Sequence, residues 1–445
     1  MPPDPEQKIP ILMVSYYYPP VGGVRVLRTT KIGKYLSRMG FLPVVLCSKE
    51  EILPASRDEE LDSFQRILIC LPKIKLPSRQ TKKAPRQGVD LNSSPKPLPP
   101  LKKAIILLLR AIKQFILYPD IAVAWIPSAY KAGLSAIRKY GIRAIYATHP
   151  PPSNLIVALL LALRTKKPLV VDFRDFWRYY PFRVKFHPLE LLLTPWLEKY
   201  LIKKSALVIA VTAPLVRTFL SDHRPYLSPK LLYLPNGYDE EDFVSARPTK
   251  KDPAGRFRLV HTGGFYEGRG GSCFLAGLER AIQLFPELEK VMVFRQVGFV
   301  DITEQEHIQR LVERGVVELI PPVSHSQAVR EMLGADLLLL IVPPKRAGEA
   351  VLSLKSTEYI RAEKPILAIS PPSPTTVLVE EFGAGRCIDN DDVEGIAEAI
   401  ISFYKKRKKR NFVDLSALSW YERNNQVARL AEILWKMLGG YERVN

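Results

Sequence analysis

One pattern occurs twice in this chain and limits the folds open to it: a short apolar run, a glycine-bearing loop, then a helix. The first copy is Ile9–Ser15, Tyr16–Gly23 and Val24–Met39; the second is Phe257–Thr262, Gly263–Gly271 and Cys273–Leu284. Further apolar runs follow each copy. The run at 335–342 is continuous rather than alternating, as a parallel strand buried on both faces is. Strands and helices in this alternation build open, doubly wound α/β sheets. At 445 residues there is room for two, each with its own core. The expected class is α/β, two Rossmann-like doubly wound domains facing a cleft, with the active site in that cleft.

Hydrophobic residues at 47% and charged residues at 25% are ordinary for a globular protein, but a net charge of +20 is not. It points to an anionic partner: nucleic acid, an acidic membrane surface or phosphorylated substrates. Cys47, Cys70, Cys273 and Cys387 are far apart and show no CxxC spacing, so they read as free thiols rather than a zinc site. The N-terminus is proline-rich and acidic, unlike a secretory signal, and no run approaches the roughly 20 apolar residues of a membrane helix. A cytoplasmic protein is expected.

Residues 71–117 are different material. A Pro-, Lys- and Ser-rich stretch runs into the apolar, cation-studded Leu101–Leu117, and between Lys73 and Lys113 eleven Lys or Arg face the single Asp90. A basic loop followed by a basic apolar helix suits an anionic bilayer surface, which is favoured here, and the alternative is a core helix with solvated lysines. Nucleic acid is disfavoured because aromatic residues are not interleaved with the cations. The segment 183–204 is also apolar and basic, either a second membrane-facing element or a core helix, with a kink expected at Pro195.

Polar side chains gather where strands should end, the place where open α/β sheets bind ligands. His149 stands in the rigid proline-rich loop that ends the strand Ile145–Thr148; Asp172, Arg174 and Asp175 close Pro168–Val171. An aspartate there can orient or deprotonate an acceptor hydroxyl, and the arginine can hold a carboxylate or phosphate. The competing readings are a structural histidine and a local ion pair. Gly22 and Gly23, followed by Arg25 and Arg28, and Gly263 and Gly264, followed by Arg269, let a ligand approach the backbone before a helix N-terminus. Lys355 and Glu358 stand at i, i+3 in a helix start, an ordinary surface pair unless an ammonium for phosphate and a carboxylate for ribose hydroxyls are wanted together. Asp389-Asn-Asp391 reads as a turn and helix cap rather than a metal clamp.

Several of these stretches resemble retaining glycosyltransferases of the GT-B fold, of the family 4-like type found in bacterial polysaccharide and glycolipid synthesis. They are Tyr18-Pro-Pro-Val-Gly-Gly23, Asp172-Phe-Arg-Asp-Phe-Trp177, Leu234-Pro-Asn-Gly-Tyr-Asp239 with Phe243, His261-Thr-Gly-Gly-Phe265, and Lys355-Ser-Thr-Glu358-Tyr359 with Glu363-Lys-Pro-Ile-Leu. The resemblance covers most of the chain outside about residues 50–115. It implies an acceptor-side domain at 1–243, a linker at 244–255, a nucleotide-sugar domain at 256–415, and a last helix, 416–445, packed back on the first domain. It also implies a nucleotide-diphospho-sugar donor with no metal and no other cofactor, and a saccharide or lipid-linked acceptor. Donor contacts would come from Gly22, Gly23, Gly263, Gly264, Arg269, Lys355, Glu358 and, at the base, Val323. His149, Asp172, Arg174 and Asp175 would address the sugar and acceptor. A second glutamate common in this family falls at Ala350 here, with Glu349 one residue off. A nucleotide-sugar 2-epimerase of the same build, and a silent scaffold that binds membrane or nucleic acid, are the alternatives.

Overall fold

The computed structural model describes residues 8–21, 24–49, 64–72, 118–178, 188–250, 252–265, 271–300, 302–407 and 414–439. Gly22, Gly23, Arg269 and the basic segment 73–117 lie outside the described residues.

The first sheet has seven parallel strands: β1 (Ile9–Val14), β2 (Phe41–Lys49), β3 (Ile67–Pro72), β4 (Ala144–His149), β5 (Leu169–Phe173), β6 (Leu207–Ala210) and β7 (Leu231–Tyr233), in the order β3-β2-β1-β4-β5-β6-β7. Its helices are α1 (Val24–Arg38), α2 (Ile126–Lys139), α3 (Pro152–Thr165), α4 (Pro188–Lys204) and α5 (Ala213–Leu227). A short helix, α6 (Glu240–Val244), then leads into a second parallel sheet. Its six strands are β8 (Phe257–Thr262), β9 (Met292–Val297), β10 (Val317–Ile320), β11 (Leu337–Ile341), β12 (Ile366–Ile369) and β13 (Gly385–Ile388), in the order β10-β9-β8-β11-β12-β13. Around it lie α7 (Gly271–Leu284), α8 (Ile302–Glu313), α9 (His325–Leu333), α10 (Leu354–Arg361), α11 (Pro374–Glu381) and α12 (Val393–Lys406), and α13 (Arg423–Met437) ends the chain.

Each sheet is covered on both faces by buried apolar side chains, which is why its central strands read as continuous rather than alternating runs. The order reverses between β1 and β4 in the first sheet and between β8 and β11 in the second. Those two switch points are where a doubly wound sheet leaves a crevice at its strand ends.

The last helix returns to the first domain. On α13, Val427, Leu430, Ala431 and Leu434 recur at i, i+3, i+4 and i+7, and this stripe packs with Ile32, Tyr35 and Leu36 of α1. The chain crosses between sheets ahead of the 244–255 stretch, since Tyr238 and Phe243 already belong to the second core. The two crossings run side by side: Tyr238 N donates to Tyr421 O (3.0 Å), and Arg423 N to Tyr238 O (2.8 Å). Helix α4 continues through Pro195 without a break. Strand β3, unanticipated in the sequence, pairs Cys70 with Cys47 of β2 at the sheet edge. Asp389 and Asp392 form the turn before α12, and the capping side chain is Asp392, accepting from Gly395 N.

Candidate active site

At the end of β8 the backbone turns at Gly263 with φ +121°, a conformation side chains rarely adopt. A Cβ built there would lie 2.5 Å from the Lys355 ammonium, so glycine is required for α10 to bring Lys355 onto this turn. Lys355 Nζ is 3.2 Å from His261 Nε2. The other ring nitrogen, Nδ1, lies 2.7 Å from Gln296 Oε1, and Gln296 Nε2 donates to Gly263 O at 2.7 Å. This chain of bonds fits one tautomer: Nδ1–H donates to Gln296, and Nε2 accepts from Lys355. Burial, helped by the Lys355 charge, holds His261 well below the usual histidine pKa, so the ring stays neutral. Tyr359 closes the assembly by taking Thr262 N and Oγ1 at 3.1 Å each. Gly264 follows in the same turn, half-buried.

Glu358 takes different partners from Lys355. Its Oε1 is 3.6 Å from His325 Nε2 at the start of α9, and the same nitrogen is 3.1 Å from Asp242 Oδ2. Asp242 also accepts from Lys31 of α1, as does Asp239. Burial draws the His325 pKa down, but the Glu358 and Asp242 carboxylates outweigh it and leave it raised. Glu358 is raised by burial against the pull of His325. The i, i+3 pair of the sequence reading is therefore split, one residue serving the glycine turn and the other the junction of the two domains. Val323 sits in the loop before α9, half-buried against the second core.

Opposite, the carboxyl ends of β4 and β5 supply the other wall. His149 is the last residue of β4, not a loop residue as expected, and is buried between Phe173 and Trp177 at centroid distances of 5.8 and 6.0 Å. Its Nδ1 faces Asp175 O at 3.2 Å. Arg174 donates to the carbonyls of His149 (3.3 Å) and Pro150 (2.7 Å), bracing the chain that follows the histidine. Asp172 requires a correction. Instead of facing an acceptor it is fully buried, gripped by Arg28 Nε and Nη2 at 2.7 and 3.0 Å and by the Tyr146 hydroxyl at 2.5 Å. With both oxygens so engaged it positions α1 against β5 and is not placed to serve as a base.

A cavity of about 70 Å³ is lined by Arg174, Asp175, Phe176, Thr212, Leu215, Asn236 and Ala350–Leu352, the last three just ahead of α10. Asn236 Nδ2 donates to Leu352 O across it. Ala350 lines this cavity, whereas Glu349 beside it is exposed and is not among the lining residues. A larger hollow of about 390 Å³ lies by Lys31, Lys34, Arg38 and Arg330. It is remote in chemistry from the glycine turn, and Lys31, Lys34 and Arg38 are bonded to Asp239, Glu241 and Asp242 there.

Solved structures with this architecture cover nearly the whole chain. Sucrose-phosphate synthase from Thermosynechococcus elongatus superposes at TM-score 0.57 with 15% identity, covering 97% of this chain and 96% of its own. HepE of Anabaena, solved with UDP and glucose, does so at 0.58 and 14%, covering 96% and 99%. The chain has the GT-B fold. A UDP-N-acetylglucosamine 2-epimerase also superposes, at TM-score 0.55 and 11% identity over 97% of each chain. No family model and no curated relative matches the sequence.

The structure thus brings Gly263, Gly264 and Lys355 together at the end of β8, and His149, Arg174 and Asp175 together at the ends of β4 and β5. Sequence reasoning passed over Gln296, met His261 only as part of a motif without its role in orienting Lys355, and assigned Arg28 to the glycine loop rather than to Asp172, which it neutralises. The apolar run Phe257–Thr262 placed His261 within a strand but could not show that a histidine two residues before the turn at Gly263 would reach a lysine 94 positions on.

Proposed function

We propose that the protein is a retaining, metal-independent glycosyltransferase that moves a sugar from a nucleotide-diphospho-sugar to a saccharide or lipid-linked acceptor. The observation that carries this reading is the Lys355 ammonium fixed over the Gly263 turn by a neutral imidazole, 3.2 Å from Nε2. A positive charge preorganised against a turn the backbone can lay beside a phosphate suits a departing nucleoside diphosphate, whose charge develops as the glycosidic bond breaks. Lys355 would supply that stabilisation without a metal ion. Arg269 would add a second charge from the same loop, and Gly22 and Gly23 would admit the donor from the β1 side.

On the acceptor side, Asp175 at the cavity is the carboxylate we assign to the incoming hydroxyl, while Arg174 and the ring of His149 shape the sugar subsite. Glu358 would hold the ribose once its 3.6 Å ion pair with His325 gives way, and Val323 would lie along the base. HepE was solved with UDP, so UDP-sugars are the first donors to assay. Acceptor synthesis at a cell-surface polysaccharide or glycolipid, on the inner face of a membrane, fits the +20 charge. The described residues include no helix long and apolar enough to cross a membrane.

The 2-epimerase is the second reading, favoured by the superposition on an enzyme of that activity. Incubation with a panel of UDP-sugars, with and without lipid and saccharide acceptors, separates the two. Acceptor-dependent release of UDP with a retained anomeric configuration supports transfer, whereas an epimerised donor formed without acceptor replaces it.

A further inference from the structure

Helix α4 carries an apolar and cationic stripe that the cleft does not use. Leu191 is 60% exposed, Leu192 72% and Trp196 61%, high values for large apolar side chains on a helix of a folded domain. Leu192, Trp196, Lys199 and Lys203 stand at i, i+4, i+7 and i+11, which places them along one face. The N-terminal half of that face is apolar and the C-terminal half is lysine, with exposed Lys204 beside it. Trp196 stacks on Tyr200 at 5.5 Å and 7°, so the indole is held outward on a stiff platform. The one carboxylate among 191–204, Glu198, is turned inward and lies 3.4 Å from His223.

We propose that this face of α4 docks on an anionic lipid bilayer, with Leu191, Leu192 and Trp196 entering the interface and Lys199, Lys203 and Lys204 on lipid headgroups. The charge pattern selects this occupant: an apolar tip bordered by cations, with no outward carboxylate on the stripe, matches a bilayer carrying negative headgroups. A twofold contact between two copies would either set the lysines against one another or bury them on the partner's apolar half.

The topology gives the face its meaning. Helix α4 joins parallel strands β5 and β6 and so runs against them, which puts its apolar N-terminal half toward the strand ends where Arg174 and Asp175 line the cavity. A bilayer docked there would lie beside the acceptor side of the cleft. That last step rests on the glycosyltransferase reading; the docking itself does not.

The test is flotation of the full-length protein with phosphatidylcholine–phosphatidylglycerol vesicles and with pure phosphatidylcholine, at low and high salt. The wild type is expected to float with anionic vesicles at low salt and to be released by salt. Leu192→Ser with Trp196→Ser should lower partitioning at least about tenfold, and Lys199→Glu and Lys203→Glu about fivefold each. Brominated lipid should quench tryptophan emission in the wild type, and Trp196→Phe should abolish most of that quenching. Failure to float at low salt, or flotation of the variants at wild-type level, overturns the proposal. So does a dimer in light scattering that Trp196→Ser dissolves, because the occupant is then a second copy. UDP-sugar turnover with a water-soluble acceptor, measured on the same proteins, judges the enzymatic reading separately: its absence from all of them removes that reading and leaves the flotation result standing.

Discussion

Lys355 earns its place through three neighbours that a reader of the sequence meets far apart: a glycine that leaves room, a histidine that stays neutral, and a glutamine that fixes the tautomer. Replacing Lys355 by Ala should therefore reduce kcat by about 10²–10³, the scale for removing one preorganised electrostatic group, and leave the melting temperature nearly unchanged. Gly263→Ala should act on the same step by another route, because the new Cβ would sit 2.5 Å from the ammonium and on a backbone with φ +121°. Steady-state kinetics beside a thermal melt checks both; a Lys355→Ala enzyme of wild-type rate would remove the donor-site assignment. Asp172 belongs to a different class. Breaking a buried ion pair from one side leaves a stranded charge, so Asp172→Ala should cost about 3–5 kcal/mol of stability. Denaturant unfolding reads this directly, and a stable, inactive Asp172→Ala protein would restore the residue to the chemistry. The contrast between Lys355 and Asp172 also shows what one-dimensional reading can reach. Both are charged residues at element ends, and their local patterns are equally suggestive. What separates them is the partner: Arg28 is 144 positions from Asp172, and no periodicity carries information over that distance.

Secondary-structure elements were legible where burial is two-sided. The apolar runs that became β1, β4, β6, β8 and β11 need no partner to be recognised, since continuous hydrophobicity bounded by turn residues suits few other structures. Strand β3 escaped because its side chains alternate between half-buried and exposed at a sheet edge, beside a long polar stretch. The span of α10 shows a similar limit: Leu352 reads as its first apolar residue, but the helix starts at Leu354 and Leu352 instead accepts Asn236 from across the cleft. At this scale a pH effect follows. His325 opens α9 and contacts Asp242 after the first crossing and Glu358 on α10, with Lys31 of α1 on the far side of Asp242. The folded protein holds the His325 proton more tightly than the unfolded chain, whose histidine titrates near about 6.5. The resulting stability is full below that pH and fades as pH rises through the raised folded-state pKa. The raised Glu358 pKa acts in the same direction at lower pH, while the lowered Asp242 pKa gives stability that is lost only as acid protonates it. Thermal melts from mildly acidic to mildly basic pH should show a decline that His325→Gln flattens; an equal decline in the variant would place the titrating group elsewhere.

The whole molecule is two sheets joined by two strands of chain that lie against each other, and this arrangement sets how far one sheet can move without the other. Tyr238 and Glu422 form a parallel bridge, so the outgoing and returning crossings are held as one ribbon. Gly237 is the tight point, because a Cβ there would fall 1.9 Å from Tyr421 O, a backbone atom with no rotamer to retreat into. Arg423 locks the return, with Nη1 on Gln426 Oε1 at 3.0 Å and on Pro235 O at 3.4 Å. The Leu234-Pro-Asn-Gly motif was visible in the sequence through the resemblance it carries, but its structural partner is this second strand, contributed nearly two hundred residues later. Gly237→Ala should therefore push the crossings apart and lower stability by about 1–3 kcal/mol, the usual cost of overpacking a close contact. Each sheet keeps its own core in that variant, so the loss should appear as two separated unfolding transitions in place of a joint one, with α13 released alongside the first domain. Differential scanning calorimetry on the wild type and Gly237→Ala measures it. A single transition at unchanged temperature would mean that the sheets are coupled through the Lys31–Asp242–His325 junction and not through the paired crossings.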